Sequence, residues 1–343
     1  MRPLWWVPGG LASSFLVIGD VGCSGEGYEE LQANVRAMHR RAELNPPEFV
    51  LVPGDNFYTH GVASDHDPQW DKILAPFLEG PALDVPLYAA LGNHDWLGDP
   101  AAQVQRHYRG GRPRWVMPHY WYTAEHEVEG GRVLVVVVDT QILAPEETWD
   151  ARDRLPSSEQ RDRQLEWLRT VLAQATQEWI VVVGHYPMYS RGPDPALDSR
   201  ILARDIKPLM DAYGVDLYVS GHDHLLQRFE DSGLVSIVAG SGCKLSDVLP
   251  YAAPQMVWGE VTHGFAEVSL AAGEMTVSWY SSNGTQLRQD AHRRKGKRRY
   301  VVQHPTETAA QVRPWTGMEA VTGMALSFAL GVALEKRFFF LRS

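Results

Sequence analysis

The sequence predicts an α/β fold, because apolar strand-like runs alternate with amphipathic helical segments over most of the chain. Two of the runs, Arg132–Asp139 and Trp179–Val183, are nearly continuous Val and Ile, as strands buried on both faces of a sheet require. Several runs also lead into a short loop that carries Asp, Asn or His. Ligand sites of open α/β sheets form where strands end, so we expect a site at these loops.

Three segments have the residue spacing of amphipathic helices. Tyr28–Leu44 begins with acidic and ends with basic residues, which suits the helix dipole. Its predicted apolar face consists of Leu31, Val35, Met38 and Ala42. A second helix is predicted to begin at the capping-box pair Ser157 and Gln160. A third is predicted over Ile201–Tyr213, with a kink at Pro208 because proline cannot donate a helical hydrogen bond.

The last part of the body has a different pattern, in which strands follow one another without helices between them. We predict strands over Leu234–Ala239, Gly264–Leu270 and Glu274–Tyr280. The dipeptide Asn283-Gly284 then predicts a tight turn. This segment should therefore complete the sheets rather than form another strand–helix unit.

Composition restricts the class of protein. A chain of 343 residues with 44% hydrophobic residues can bury a large core, in one large domain or two ordinary ones. The net charge of −10 argues against a nucleic-acid partner. Two cysteines are too few for a disulfide framework. We expect Cys23 and Cys243 to be unpaired loop residues, and a bridge across the mouth of the site is the alternative.

The N-terminus carries apolar residues that faintly resemble a signal peptide. A Pro-Gly-Gly break interrupts them, and the second apolar run, Leu11–Ile18, leads directly into Asp20. Cleavage after that run would remove a strand that presents a candidate ligand. We therefore expect no cleavable signal.

The C-terminal part changes composition after a catalytic domain that we place at residues 1–290. Residues 291–319 form a basic linker, and residues 320–343 form an apolar segment. Its apolar core is shorter than the roughly 20 residues that a membrane-spanning helix prefers. The segment is either a tail anchor that associates the protein with a membrane or a helix that packs on the body or on a partner. The compartment and the oligomeric state stay open.

Five short motifs place candidate metal ligands at or just after strand-like runs. In chain order they are Gly19-Asp20-Val21-Gly22, Gly54-Asp55-Asn56-Phe57-Tyr58, Gly92-Asn93-His94-Asp95, Val182-Val183-Gly184-His185 and Gly221-His222-Asp223-His224. A single histidine after a strand is usually an ordinary surface residue. Five such loops in one chain instead indicate a hydrolytic centre with two metals.

The donors of these loops divide into two chemical sets. The oxygen-rich set is Asp20, Asp55, Tyr58 and His224, and the nitrogen-rich set is Asp55, Asn93, His185 and His222. Hard anionic oxygens suit a highly charged ion, whereas imidazoles suit zinc, manganese or ferrous iron. Asp55 belongs to both sets, because one carboxylate can bridge two metals about 3.5–4 Å apart.

The order of these motifs resembles the metallophosphoesterase superfamily. Tyr58, within Gly-Asp-Asn-Phe-Tyr, and the sequence Gly-His-Tyr-Pro after it resemble the small, tartrate-resistant type of purple acid phosphatase. The likeness runs from about Ser14 to Gln289. It implies a four-layer α/β/β/α sandwich of two mixed sheets, the metallophosphoesterase fold.

The resemblance also implies the cofactors and the roles of the site residues. Ferric iron would be held by Asp20, Asp55, Tyr58 and His224. A divalent iron, zinc or manganese would be held by Asp55, Asn93, His185 and His222. Asn93 and His94 would contact the substrate phosphate, and Asp95 would orient His94.

The chain departs from the family pattern at three places. Cys23 stands where the second residue of a Gly-Gly pair is usual, and Leu225 stands where an asparagine often follows Gly-His-Asp-His. After Tyr186-Pro187 the small enzymes supply an ionisable residue beside the substrate. Here Arg191 could hold phosphate and Asp194 could act as an acid, or both could simply be solvated.

These observations predict an acid phosphatase that hydrolyses phosphate monoesters by attack of a metal-bound hydroxide. A trivalent ion acidifies bound water strongly, which would allow activity at acid pH. One alternative is a phosphodiesterase or nucleotide pyrophosphatase on the same scaffold. The other is a non-catalytic metal-binding protein that docks on a membrane or a partner through its tail.

Overall fold

The structure, a computed structural model, describes residues 13–109, 114–144, 156–193, 197–247 and 255–294. Within these residues, fourteen strands form two mixed sheets of seven strands each. The N-terminal apolar residues before Ser13, Asp194, and the linker and apolar tail beyond Arg294 lie outside the described residues. No helix of the described ranges has both the length and the apolarity needed to cross a membrane.

Sheet 1 combines a parallel half with an antiparallel half. Its strands in spatial order are β14 (Gln286–Arg293), β13 (Glu274–Ser281), β12 (Gly264–Ala271), β1 (Ser13–Val17), β2 (Val50–Pro53), β3 (Leu87–Ala90) and β4 (Trp115–Val116). Strands β1 to β4 run parallel, and β12, β13 and β14 add to them in antiparallel pairs. The strands predicted over Gly264–Leu270 and Glu274–Tyr280 are the ones that complete this sheet.

Sheet 2 has a parallel centre and antiparallel edges. Its strands in spatial order are β11 (Met256–Glu260), β9 (Leu226–Asp231), β10 (Leu234–Ala239), β8 (Leu217–Ser220), β7 (Trp179–Val183), β6 (Gly131–Val137) and β5 (Tyr122–Val128). Strands β6, β7, β8 and β10 are parallel to one another. The carboxyl ends of these strands therefore point to one edge of the sheet.

The described helices in chain order are α1 (Tyr28–Leu44), α2 (Gln69–Leu78), α3 (Asn93–Trp96), α4 (Pro100–Tyr108), α5 (Thr140–Leu143), α6 (Ser158–Gln174), α7 (Leu197–Asp205) and α8 (Lys207–Tyr213). The prediction of one kinked helix over Ile201–Tyr213 was wrong, because the chain forms α7 and α8 with a break at Ile206. Pro208 lies in the first turn of α8, where a missing N–H costs nothing.

Two apolar layers show why the molecule is a four-layer sandwich. Val135 and Val181 of sheet 2 lie in one core cluster with Phe15 of sheet 1, so this layer fills the space between the sheets. The alternate residues of the same strands, such as Val136, contact α6 and α8 in a second cluster. Both faces of β6 and β7 are thus buried, which explains their continuous valine runs and confirms the predicted fold class.

The edge strand β14 determines where the folded body ends. It pairs with β13 from Gln286 to Arg293, past residue 290. The next residue, Arg294, donates its backbone N–H to Gly273 O at 3.0 Å. Its guanidinium lies over Trp179 and 3.1 Å from Asp216 Oδ1. The first residues of the basic run therefore belong to the packed body.

Candidate metal centre

The candidate ligands lie in loops that follow parallel strands of both sheets. Asp20 follows β1, Asp55 and Tyr58 follow β2, Asn93 follows β3, His185 follows β7, and His222 and His224 follow β8. The two sets of loops touch each other. His185 Nδ1 lies 2.9 Å from Pro53 O, and the backbone N–H of His222 donates to Asp20 Oδ2 at 2.9 Å. Both sheets thus contribute to a single site.

One group of donors surrounds the Tyr58 hydroxyl. This hydroxyl donates to Asp20 Oδ1 at 2.9 Å and lies 3.0 Å from His224 Nε2. His224 Nε2 is itself 3.5 Å from Asp20 Oδ1. Three of the four members of the oxygen-rich set, a carboxylate, a phenol and an imidazole, therefore converge on one point.

A second group surrounds the Nε2 atom of His185. This atom lies 3.0 Å from Asn93 Oδ1 and 3.4 Å from Asp55 Oδ1. The His222 ring stands edge-to-face against the His185 ring, with 5.1 Å between centroids. The nitrogen-rich set therefore also comes together in space.

The contacts of His185 test whether these residues fit a metal. The Pro53 carbonyl can only accept a hydrogen bond, so Nδ1 of His185 carries a proton. Nε2 of His185 faces the oxygens Asn93 Oδ1 and Asp55 Oδ1, a position that suits a proton on Nε2 or a metal bound there. Ligand atoms of Asp20, Asp55 and His185 all lie within 4.8 Å of one another, and all three residues are buried. The donor set fits a metal pair.

Three of these candidate ligands have an unusual backbone conformation. Asp20, Asp55 and His222 have φ angles of 59°, 52° and 69°. Residues other than glycine rarely adopt this left-handed region, and strain of this kind concentrates at functional sites. Here it turns side chains inward at the ends of strands.

Glycines next to the ligands allow the loops of the two groups to approach closely. A Cβ atom on Gly92 would lie 2.2 Å from Asp55 Oδ1, and one on Gly221 would lie 2.3 Å from Asp20 Oδ2. Neither distance is possible for real atoms. These glycines are therefore required by the positions of the two carboxylates.

The carboxylates and histidines of the site shift one another's pKa values. Burial alone would raise the pKa of Asp55, but His185, His94 and His222 outweigh it and lower that pKa. Burial lowers the pKa of His185, but Asp55 and Asp20 outweigh it and raise that pKa. Desolvation, reinforced by His185, lowers the pKa of His222 to about 3. His222 is thus a neutral imidazole, the form that binds metals.

Tyr58, unlike His222, would have to lose a proton before it could bind a metal. Burial raises its pKa well above the ordinary value, and the charges of Asp20 and Asp55 raise it further. The phenol therefore keeps its proton as a donor to Asp20 when no cation is close. A ligand role for Tyr58 needs a metal of high charge.

His94 lies beside the ligands with one ring nitrogen held. Its Nδ1 donates to the Thr59 carbonyl at 2.7 Å, which leaves Nε2 on the side of Asp55 Oδ2, 3.9 Å away. The ring also stands edge-to-face against Tyr58, with 4.7 Å between centroids. The side chain is 14% exposed, so it borders both the ligands and solvent.

Asp95 fixes the turn on which His94 lies, whereas Thr59 holds the His94 ring. The Asp95 carboxylate accepts hydrogen bonds from the backbone N–H groups of Gly92 and Asn56 at 2.8 and 3.1 Å, and from Gln103 Nε2 at 2.7 Å. Burial, followed by the Asp55 charge, raises the pKa of Asp95 to about 7 against these hydrogen bonds.

The loop after β6 supports the site and did not enter the sequence-based ligand set. Thr140 Oγ1 accepts from the backbone N–H groups of His185 and Tyr186 at 3.2 and 3.0 Å. Asp139 Oδ2 accepts from Trp96 Nε1 at 3.0 Å, which ties this loop to the turn carrying His94. The signal was present in the sequence as polar Asp139-Thr140 directly after a valine run.

Arg191 and Asp194 are the two residues that the sequence predicted beside the substrate. The backbone N–H of Arg191 donates to Gln227 Oε1 at 3.1 Å, and its Nη1 lies 3.8 Å from Met256 Sδ. Asp194 lies outside the described residues. Leu225, at the position where the family often has asparagine, is fully buried in a small apolar cluster with Phe229 and Val238.

The expectation that the cysteines are unpaired was wrong. Cys23 and Cys243 form a disulfide, with 6.1 Å between their Cα atoms and a sequence separation of 220. Linear spacing could not reveal the pairing, because β1 and β10 lie in different sheets and their loops meet only at the site. The Gly242 N–H donation to Gly19 O at 3.2 Å belongs to the same contact.

Comparisons with known proteins agree with this geometry. Residues 13–226 match the family described as calcineurin-like phosphoesterase. Purple acid phosphatase 3 of Arabidopsis thaliana is 31% identical over 79% of this chain and 75% of that protein. Tartrate-resistant acid phosphatase type 5 of Homo sapiens is 30% identical over 74% of this chain and 82% of that protein.

A solved structure shows the same fold. GAP50, described as the anchor in the inner membrane complex of Plasmodium, superposes with a TM-score of 0.74 over 84% of this chain and 90% of that chain. Its sequence identity is 24%, so this likeness concerns the fold alone. With the family match, the relatives and a two-sheet site that converges on Asp55, the chain belongs to the purple acid phosphatases of the calcineurin-like phosphoesterase family.

Proposed function

We propose that this chain is an acid phosphatase that hydrolyses phosphate monoesters at a binuclear metal centre. The observation that carries the proposal is the convergence of two donor groups, one around the Tyr58 hydroxyl and one around His185 Nε2. Asp55 lies beside both His185 and His94. The relatives of this chain are named acid phosphatases. Their names favour monoesters over the diester alternative.

The donor chemistry supports a ferric ion with a divalent iron, zinc or manganese. Asp20, Tyr58 and His224 provide hard oxygens and a single nitrogen, whereas Asn93, His185 and His222 provide two imidazoles and a neutral oxygen. Asp55 is the carboxylate that would serve both ions. When bound, such a pair supplies Lewis acidity toward phosphate oxygens and water.

The residues around the ligands position the substrate and move a proton. Because Nδ1 of His94 is bonded to Thr59, Nε2 is the atom that faces the substrate. In its imidazolium form, Nε2–H donates to a phosphate oxygen or delivers the proton to the leaving oxygen. The Asn93 amide, 6% exposed beside it, adds a polar contact on the same side.

We propose that the protein matures in an oxidising compartment. The Cys23–Cys243 disulfide supports this location, because disulfides persist in oxidising compartments and are rare in the cytosol. Membrane association through residues 320–343 is a separate proposal that rests on the apolar composition of that segment.

Metal analysis and a paired assay test the proposed activity. We expect purified protein to carry two metals per chain and to hydrolyse p-nitrophenyl phosphate at acid pH much faster than bis(p-nitrophenyl) phosphate. Faster hydrolysis of the diester would support the phosphodiesterase alternative. No hydrolysis of either ester by protein with both metals bound would refute the proposed function.

A further inference from the structure

Lys244 places a positive charge on a candidate ligand at the mouth of the centre. Its ammonium lies over the Tyr58 ring, 3.8 Å from the centroid. Tyr58 is 8% exposed and Lys244 is half-buried, so the lysine lies between the buried ring and solvent. The sequence motifs did not include this residue.

The fold fixes the loop that carries Lys244 on both sides. Before it, Cys243 is bonded to Cys23. After it, the backbone N–H of Ser246 donates to His224 O at 3.0 Å, and Ser246 Oγ accepts from the His224 N–H at 3.3 Å. The lysine is thus held between a covalent bond and a reciprocal pair of hydrogen bonds to a candidate ligand residue. Its position follows from the structure of the site.

The ammonium cannot act as one of the metal ligands. It has three donors and no lone pair, and it lies over the ring rather than at the hydroxyl that meets Asp20 and His224. The aromatic face attracts a cation only weakly at an exposed site, whereas two nearby metals would repel it. A negatively charged group that enters the mouth would satisfy this charge.

We propose that Lys244 forms an anion subsite that binds a second negatively charged group of the substrate, next to the phosphate that is cleaved. This inference rests on the proposed phosphatase function and names its substrate class. The phosphate to be cleaved meets the metal ligands and His94, and Lys244 lies farther out, beside the ring of Tyr58. The centre therefore favours a terminal phosphate that has a second anion next to it, as in a diphosphate, over simple aryl phosphates.

The test compares Lys244→Met with two other variants. Lys244→Arg keeps a cation at the same place. Lys72→Met removes one positive charge from an exposed position whose ammonium lies 3.4 Å from Ser24 O, next to the disulfide. Lys72→Met therefore controls for net charge. Metal content is measured for each protein.

Two readouts separate an anion subsite from a structural contact. In calorimetry on the metal-loaded proteins, Lys244→Met should weaken the binding of methylenediphosphonate about tenfold more than the binding of methylphosphonate. This factor corresponds to the loss of one charged hydrogen bond. The ratio of kcat/KM for pyrophosphate to that for p-nitrophenyl phosphate should fall by the same factor, through KM. Lys72→Met should match the wild type in both, and Lys244→Arg should keep most of the selectivity.

Equal weakening of the two phosphonates by Lys244→Met would overturn the proposal, since the lysine would then act on the single phosphate or on the structure. No weakening of either would overturn it as well. Failure of the phosphatase function itself has a different signature. In that case the wild type hydrolyses neither substrate, while the two binding measurements still compare Lys244 with its control.

Discussion

His94 and Asp55 are joined twice. The backbone N–H of His94 donates to Asp55 Oδ1 at 3.0 Å, and His94 Nε2 lies 3.9 Å from Oδ2 of the same carboxylate. The carboxylate assigned to both metals and the imidazole assigned to the substrate therefore form one unit. The backbone link does not depend on the His94 side chain, so the two roles can be separated by substitution.

His94→Ala should lower kcat by roughly 10²–10⁴-fold, the usual contribution of an acid–base or electrostatic group. Both metals should stay bound, because the backbone N–H that supports Asp55 remains. Steady-state kinetics and metal analysis check this. His66→Ala, which removes a ring that is 66% exposed, is the matched control and should be neutral. Unchanged turnover with full metal content would exclude His94 from the mechanism.

Asp55→Ala should abolish activity and empty both metal positions, since Asp55 is the residue assigned to both. Asn93→Ala should mainly deplete the divalent metal, because Asn93 Oδ1 contacts His185 and not the Tyr58 group. Elemental analysis of each metal per chain distinguishes the two results. Two tightly bound metals in the Asp55 variant would show that the bridging assignment is wrong.

Tyr58→Phe should remove a visible absorption band from iron-loaded protein. Burial and two carboxylates raise the pKa of this phenol above its usual value near 10, so only a highly charged cation would hold it as phenolate at acid or neutral pH. A phenolate on ferric iron absorbs visible light, as the colour in the family name implies. Spectra of both proteins at equal iron content test this. A band that survives the substitution would contradict the assignment.

Asp139→Asn should flatten the pH dependence of stability between about pH 4 and 7. Burial raises the pKa of Asp139 to about 7, whereas a free aspartate titrates near 3.9. In this window the folded protein keeps a proton that the unfolded chain has lost, so the free energy of unfolding falls as pH rises.

Urea unfolding across this pH range compares the two proteins. The variant is expected to be less stable at low pH, because an asparagine amide meets the Trp96 N–H poorly. The diagnostic quantity is the slope of stability against pH, which should be smaller in the variant. Parallel slopes would show that Asp139 does not titrate in this window.

A chain truncated after Arg294 should stay soluble, folded and active, because the candidate ligands and the whole of β14 are retained. The full chain should partition with membranes or a partner through residues 320–343. A shorter truncation, after Gln289, should be compared with it. This truncation removes half of the β14 pairing and the contacts of Arg294 with Asp216 and Trp179. Its thermal midpoint should be lower than that of the longer truncation. An unfolded 294-residue chain would show that the tail belongs to the core.

Local sequence patterns predicted the fold class and the family, and these are confirmed. Short-range patterns can be recognised without knowing which segments pack together. The valine runs of β6 and β7 and the loop Gly184-His185 are patterns of this kind. Contacts between distant segments left no such signal. The support of the His185 backbone by Thr140 and the Cys23–Cys243 bond join loops from different strands, and only the three-dimensional arrangement reveals them.

The disulfide has a consequence for the chain when it is not folded. All the candidate ligands except Asp20 lie inside the covalent ring that Cys23 and Cys243 close, and Asp20 lies three residues outside it. An unfolded but oxidised chain therefore keeps its first and last ligand loops at a high effective concentration relative to each other. The entropy of closing so long a loop is lost in the unfolded ensemble and not in the native protein. The bond thus favours reassembly of a centre whose ligands are dispersed over most of the sequence.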